Sequence, residues 1–416
     1  MTDVDPSPIR SGGSVPRSRI GINLTWLVPG IVGGSEEYSV RLLEGLVGEI
    51  PAGVQVRLYG RADLFDSHPG LVDGFETVTM PIQPVSKLRR IVLEQTWLAE
   101  ISRLDDLVHH MGGTVPLRGR PARQRQVVTI HDLQPLDLPG NFHRSKRLWL
   151  GRMIPRATRS ADLIVAPSRF TAERLTTLLA VPDRRIRVVH HGFEAQESAT
   201  DSAGSVLPLD RRAANPTEIK LSGRSFLLYP AIAYKHKRHR DLVEALALAR
   251  HGSSAERFDD LHVVFTGRRG PESDELDRLV AARGLKDRVH VLGRIPEAEL
   301  DWLYRHALAL VFPSEYEGFG NPCLEAMSRG CPVVVASAGA LPEVVGEAAL
   351  QFPAGDHRAL VERIDRLLSE PHTVAGLVAA GYEQARRFTP GMASQRLWSV
   401  YRELLTAVSG DLGRRP

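Results

Sequence analysis

Short apolar runs alternate with longer amphipathic stretches along the whole chain. The first half carries runs at 19–24, 54–59, 127–130, 163–166 and 186–190. The second half carries them at 226–230, 261–266, 289–292, 308–313, 332–336 and 349–352. Each is short and bounded by Gly, Pro or charge, as expected of strands buried on both faces of a parallel sheet. Parallel strands need crossovers, and the intervening amphipathic stretches supply helices for them. The pattern predicts an α/β fold with helices on both faces of each sheet.

Between the two sets of runs, residues 194–220 are rich in Ser, Ala, Asp and Pro and have no period, which reads as an interdomain connection. The expected organisation is a disordered tail at 1–18, a first domain at 19–193, the linker at 194–220, a second domain at 221–390, and a helix and tail at 391–416. The last helix carries Leu397, Val400, Tyr401, Leu404 and Leu405 on one stripe, which must dock on something.

Composition narrows the classes. A chain of 416 residues has room for two or three domains at roughly 100–200 residues each. Hydrophobic residues at 43% and charged residues at 25% exclude a disordered or fibrous chain. The net charge of +4 permits anionic ligands and gives no reason to expect nucleic acid. Two cysteines, Cys323 and Cys331, exclude a disulfide scaffold and point to a reducing, cytoplasmic compartment. The first residues lack the apolar core of a secretory signal, and no apolar stretch is long enough to be expected to span a membrane. Zinc-ligand spacing, G-x-x-x-x-G-K-[ST] and G-x-G-x-x-G are all missing from the sequence.

The most informative segment is 311–332, VFPSEYEGFGNPCLEAMSRGCP. It reads as a strand end, a Gly-rich polar loop and a short helix, with Asn321 as N-cap, Pro322 at the first helical position and Gly330 at the stop. A helix N-terminus just beyond the carboxyl end of a strand is where open α/β sheets bind ligands, and its N–H groups favour phosphate. Glu317 in the loop and Glu325 in the helix can each accept paired hydroxyl donors, from a sugar and from a ribose diol respectively. The plainer reading is a surface loop with two solvated glutamates; the strand, Gly-rich loop and capped helix favour the first.

The run Glu317-Gly-Phe-Gly-Asn-Pro-Cys-Leu-Glu325 resembles the E-x7-E signature of retaining glycosyltransferases with the GT-B fold. This is glycosyltransferase family 4, also called glycosyl transferases group 1, and the likeness is to its mannosyltransferases. The resemblance implies two Rossmann-like domains facing each other across a cleft, with a C-terminal helix crossing back to the first. It places Glu325 on the donor ribose and Glu317 near the transferred sugar. Gly318, Phe319, Gly320, Asn321, Pro322, Cys323 and Leu324 would line the sugar and pyrophosphate. It further implies no cofactor and no required metal, the diphosphate charge being offset by helix dipoles and cationic side chains.

Other elements take their meaning from that resemblance. Residues 232–242, IAYKHKRHRDL, follow a strand and resemble the family's H-K-N-H element through His236, Lys237 and His239, with Arg238 in place of Asn. Lys237 becomes the phosphate lysine, and Arg238 or Arg240 a second cation; the plain alternative is a solvated basic helix start. Gly267, Gly293 and Arg294 follow strands at positions that meet the donor. Gly33 and Gly34 lie in the first Gly-rich loop, where Ser35 can cap the next helix. His131, at a strand's carboxyl end, would contact the transferred sugar, with Asp132 orienting loops. The implied catalytic set is His131, Glu317 and Lys237, without an assigned nucleophile; the reading is front-face substitution in which the leaving phosphate helps deprotonate the acceptor.

Residues 142–156, FHRSKRLWLGRMIPR, are basic and aromatic. They read either as a helix packing its apolar face with a solvated basic face, or as peripheral contact with an anionic membrane, which would be the inner face of the cell membrane. The function expected is transfer of a hexose, mannose from GDP-mannose being the first choice, to a glycan or lipid-linked acceptor in cell-envelope glycan or polysaccharide synthesis. UDP-sugars, an NAD-dependent oxidoreductase and a catalytically silent binding module are the alternatives.

Overall fold

The computed structural model describes residues 18–30, 34–81, 87–117, 119–193, 221, 223–252 and 255–412. The expected linker at 194–220 and Gly33 lie outside the described residues, as does the expected N-terminal tail except Ser18, which already belongs to a strand.

The described strands are β1 (Ser18–Asn23), β2 (Val54–Gly60), β3 (Glu76–Thr79), β4 (Leu107–His110), β5 (Arg125–Thr129), β6 (Leu163–Ala166), β7 (Ile186–Val188), β8 (Ser225–Pro230), β9 (Leu261–Thr266), β10 (Val289–Gly293), β11 (Ala309–Phe312), β12 (Val333–Ala336) and β13 (Leu350–Phe352). They form two sheets, in the orders β3-β2-β1-β4-β5-β6-β7 and β10-β9-β8-β11-β12-β13. The pairings of the second sheet are all parallel. So are those joining β1 to β5 in the first. Every apolar run proposed from the sequence coincides with a strand, within one or two residues at each end. β3 and β4 are the two strands that the pattern did not predict.

Both orders are doubly wound. The chain runs outward from β1 through β2 to β3, then returns to lay β4 on the other side of β1; β8 and β11 repeat the arrangement. Such reversals open a crevice beyond the carboxyl ends of the two central strands. The central strands are buried because helices cover both faces: β9 and β11 are buried at every position. The core of the second sheet includes Phe226, Tyr229, Phe265, Phe312, Leu324 and Phe352.

Among the described residues, the chain divides into two compact units. One draws on Met1–Thr129, Arg159–Ile164 and Ser394–Pro416, the other on Ile130–Thr158 and Val165–Ala393. The last helix, Pro390–Leu412, therefore belongs mostly with the first unit. Its stripe docks there as expected: Tyr401 is fully buried and its hydroxyl lies 2.7 Å from His109 Nδ1, while Ser394 Oγ donates to the Leu42 carbonyl at 3.0 Å. Among the described residues, no helix is long and apolar enough to cross a membrane.

Candidate active site

In the second unit the crevice lies between the loop after β8, residues 231–238, and the loop after β11, residues 313–320. Backbone and side chain stitch the two together. Glu315 N–H donates to the His236 carbonyl at 2.9 Å, and Ser314 Oγ donates to the same carbonyl at 3.1 Å. Tyr229, fully buried at the end of β8, donates its hydroxyl to the Lys237 carbonyl at 2.8 Å. The result is that Lys237 and Glu317, eighty positions apart in sequence, meet at 2.6 Å. Their side chains are only 20% and 12% exposed, so this is a sheltered ion pair rather than a surface one. Lys237 Nζ also stands 5.3 Å from the centre of the Phe312 ring, within cation–π range.

Two glycines hold the Glu317 loop. A Cβ on Gly318 would lie 2.2 Å from the carbonyl oxygen of His131, so only glycine lets this loop pass against the His131 backbone. Gly339, at φ +61°, packs on the Glu317 backbone, and Ala340 N–H donates to the Glu317 carbonyl at 3.0 Å. His131 and Asp132 are thus brought to the Glu317 loop. The Asp132 carboxyl is pushed up from its usual range by burial and by Glu317, against the pull of Lys146 and Lys237. It also accepts the Gln134 N–H at 3.0 Å, which supports a loop-orienting part.

The short helix runs Asn321–Met327. Asn321 is not its N-cap: Gly320, at φ +117°, holds that position, and no side chain caps the helix. The Asn321 amide is instead engaged by His191, whose Nδ1 lies 2.7 Å from its Oδ1. His191 also stacks on Phe319 at 4.4 Å between ring centres. Phe319, Cys323 and Leu324 are buried, so only their backbone can face a ligand; the Cys323 N–H is already turned to the Gly320 carbonyl at 3.0 Å. Burial also holds the Cys323 thiol well above its usual range.

Glu325, one turn into the helix, accepts the Tyr304 hydroxyl on Oε2 at 2.8 Å. A carboxylate offers about four lone-pair sites, so Oε1 is left to accept ligand hydroxyls in a fixed orientation. Tyr304 is buried, and nothing in its surroundings by sequence marks it as the group that orients Glu325. Tyr316 and Asp137 form a second such pair: Tyr316 donates to Asp137 Oδ2 at 2.8 Å, and Arg174 Nε donates to the same oxygen at 3.0 Å.

The basic run divides by function. His239 is buried, and its Nε2 donates to the Ala231 carbonyl at 3.0 Å, fastening the loop. Burial lowers both His236 and His239 to about 4, so both are neutral near pH 7. Arg238, at φ +52°, is held by Asp241 at 2.6 Å and Glu315 at 3.1 Å. The guanidinium expected as a second phosphate cation thus sits, like Lys237, beside carboxylates. Arg240 is 59% exposed beside Glu275. Gly267 and Gly293 are joined by an N–H to carbonyl bond of 2.7 Å, and Gly267 presses on the Ala231 and Ile232 backbone. Arg294 is exposed at the end of β10. In the first unit, Gly34 and Ser35 lie inside the first turn of the helix Gly34–Leu46, so Ser35 falls within the helix rather than before it.

Comparison with known proteins gives this geometry a setting. Residues 211–384 match the family described as Glycosyl transferases group 1, and residues 32–197 match Glycosyltransferase Family 4. The O-antigen chain mannosyltransferase B of Escherichia coli is 29% identical over 64% of this chain and 67% of its own length. The D-inositol 3-phosphate glycosyltransferase 1 of Catenulispora acidiphila is 29% identical over 61% of this chain and 60% of its own length. The MMP alpha-(1->4)-mannosyltransferase of Mycolicibacterium hassiacum is 29% identical over 58% and 54%. Among solved structures, sucrose-phosphate synthase of Thermosynechococcus elongatus is similar with a TM-score of 0.71 at 20% identity, over 94% of this chain and 100% of that one. Anabaena HepE in complex with UDP and glucose is similar with a TM-score of 0.68 at 18% identity, over 93% and 100%. These likenesses show the GT-B fold.

Proposed function

We propose that this chain, which belongs to the group 1 and family 4 glycosyltransferases and has mannosyltransferase relatives in cell-envelope glycan synthesis, moves mannose from GDP-mannose to a glycan or lipid-linked acceptor with retention at the anomeric carbon. The observation that carries the reading is the sheltered Lys237–Glu317 pair at the second switch point, 2.6 Å apart and directly before the 321–327 helix.

In this reading the bond from the anomeric carbon to the phosphate oxygen breaks, and its electron pair stays on the departing nucleoside diphosphate. Lys237 and the N–H groups at the helix start meet that growing negative charge. The acceptor oxygen bonds to the same face of the carbon, and its proton passes to the leaving phosphate oxygen. Glu317 fixes the sugar hydroxyls, His131 the region of the anomeric carbon, and Glu325, oriented by Tyr304, the ribose diol. No protein nucleophile and no divalent cation are assigned a step. Mannose rests on the named mannosyltransferase relatives. A UDP-sugar is the second reading, favoured by the fold likeness to HepE solved with UDP and glucose.

The test is a donor panel read by released GDP or UDP, with the product linkage read by NMR and the reaction repeated in excess EDTA. Release of GDP from GDP-mannose with an α-linked product supports the reading. Preference for a UDP-sugar replaces the donor, an inverted product overturns retention, and loss of activity in EDTA overturns only the metal-free step.

A further inference from the structure

We propose that Glu343 is a positioning residue for the loop that carries Glu317: it holds two aromatic props, Phe170 and His190, whose contacts bracket that glutamate. The inference rests on the reading above, in which the loop from Glu317 to Phe319 faces the transferred sugar and the diphosphate. Glu343 lies in the short helix Leu341–Val345, just after Gly339 and Ala340, which pack on the Glu317 backbone. Its side chain is 12% exposed. The Arg169 N–H donates to both carboxylate oxygens, at 3.0 and 2.8 Å, and the Phe170 N–H donates to Oε2 at 3.3 Å. His190 Nε2 meets Oε1 at 2.8 Å. Against the upward push of burial, His190 and those N–H groups hold the carboxyl below its usual range, so it is charged near pH 7.

What Glu343 holds then touches the loop on both sides of Glu317. Phe170 packs edge-on against Tyr316, with 5.4 Å between ring centres. His190 lies 6.0 Å from the ring of Phe319, and Phe388 packs edge-on against both, at 5.4 and 5.6 Å. A helix cap accounts for only part of this. The helix Arg169–Leu179 already has Ser168 as its N-cap, which accepts the Thr171 N–H at 3.1 Å, and His190 lies beyond β7 in another segment. The charged groups at His190 are Glu343 and, on the same carboxylate, Arg169, whose Nε lies 3.4 Å from Oε1.

The experiment compares kcat and donor KM of the wild type, E343A, E343Q and H190F/E343Q from about pH 8 to about pH 5.5, the span in which histidines change charge, with the nucleotide sugar that the wild type turns over fastest. E343A should lose about tenfold to a hundredfold in kcat at every pH, the scale of misplaced reacting groups, with little change in KM because Glu325 still holds the ribose. E343Q is the sharper probe. Its amide oxygen can keep the Arg169 and Phe170 N–H groups, while its NH2 donates to a neutral His190 that accepts on Nε2. Once the ring is protonated both partners are donors and the contact is lost, whereas the wild-type carboxylate accepts from either form. E343Q should therefore match the wild type near pH 8 and fall about tenfold below it in kcat near pH 5.5, while staying folded at both by thermal unfolding. H190F/E343Q should show no such acid loss relative to its own value at the higher pH. The inference is overturned by full activity of E343A, by E343Q tracking the wild type at every pH, or by a loss confined to KM. It is also overturned by an acid loss that H190F/E343Q shares or that follows unfolding. A wild type that releases no nucleotide from any sugar donor overturns the functional reading itself, and this inference with it.

Discussion

The two switch points share a topology and spend their polar groups differently. In the first sheet, Asn23 and His110 end β1 and β4 in direct register. Asn23 Nδ2 lies 3.2 Å from His110 Nδ1, and the Thr25 hydroxyl lies 2.6 Å from Asn23 Oδ1 and 2.9 Å from Glu94. Burial drives His110 down to about 3 and lifts the Glu94 carboxyl above its usual range, against Arg90, whose Nε lies 3.4 Å from it. In the second sheet the corresponding crevice holds a charged lysine and carboxylate at its edge. A buried network of polar groups bonded to one another stabilises a fold; a sheltered charge pair at the edge of a crevice is, in the proposed reading, where a diphosphate and a sugar enter.

That contrast is broken or sharpened by five substitutions. The largest effect is expected from Lys237→Ala: turnover at saturating donor should fall by about 10²–10³, the scale of losing one group that meets developing charge. Nucleotide release measured beside thermal unfolding separates this from destabilisation, and wild-type turnover would dissolve the contrast. Next, Glu325→Ala should weaken nucleoside diphosphate binding by about 1.5–3 kcal/mol, read by calorimetry, because a charged acceptor is lost. Tyr304→Phe, which only frees the carboxylate to turn, should cost less.

At the first switch point the expectation reverses. Thr25→Val should lower folding stability by about 1–3 kcal/mol in urea unfolding, since Glu94 and Asn23 lose a buried partner, with little change in donor turnover. A variant that stays stable and loses turnover would make this crevice a ligand site too. The smallest effect concerns acid. Burial raises Asp105 from 3.8 to about 6, against the hydroxyl of Tyr59, which donates to it at 2.6 Å. The folded chain therefore holds this proton more tightly than the unfolded chain. Its contribution is present below about pH 4 and lost as pH rises to about 6, worth roughly 1–2 kcal/mol. Unfolding at pH 4, 5 and 6 should show that fall in the wild type and a flatter profile in Asp105→Asn.

Most of the fold was legible because strands buried on both faces leave continuous apolar runs. The two unpredicted strands show the limit. β3, Glu76–Thr79, is an edge strand with no fully buried position, and β4 ends in His109 and His110, which read as polar. Those histidines are buried because Tyr401, Thr129 and Asn23 meet them, partners up to 292 positions away. At the site, Lys237, Glu317 and His131 were legible because each follows a strand, and topology then brings strand ends together. Asn321 as cap was misread for the opposite reason. His191 claims its side chain, and such a partner leaves no local trace. Tyr304 stayed unseen on the same ground.

The docking of Tyr401 on His109 also sets an order in time. Synthesis delivers β1 first, but the unit containing it still lacks Ser394 and Tyr401 until almost the whole chain has left the ribosome. Every residue of the other unit has been made by then. The unit that begins later can therefore finish earlier, while the first waits half-built with the Leu42 carbonyl and the His109 ring lacking these partners. A nascent chain halted before the last helix should carry a protease-sensitive first unit beside a resistant second one, and chaperone demand should fall on the older part of the polypeptide.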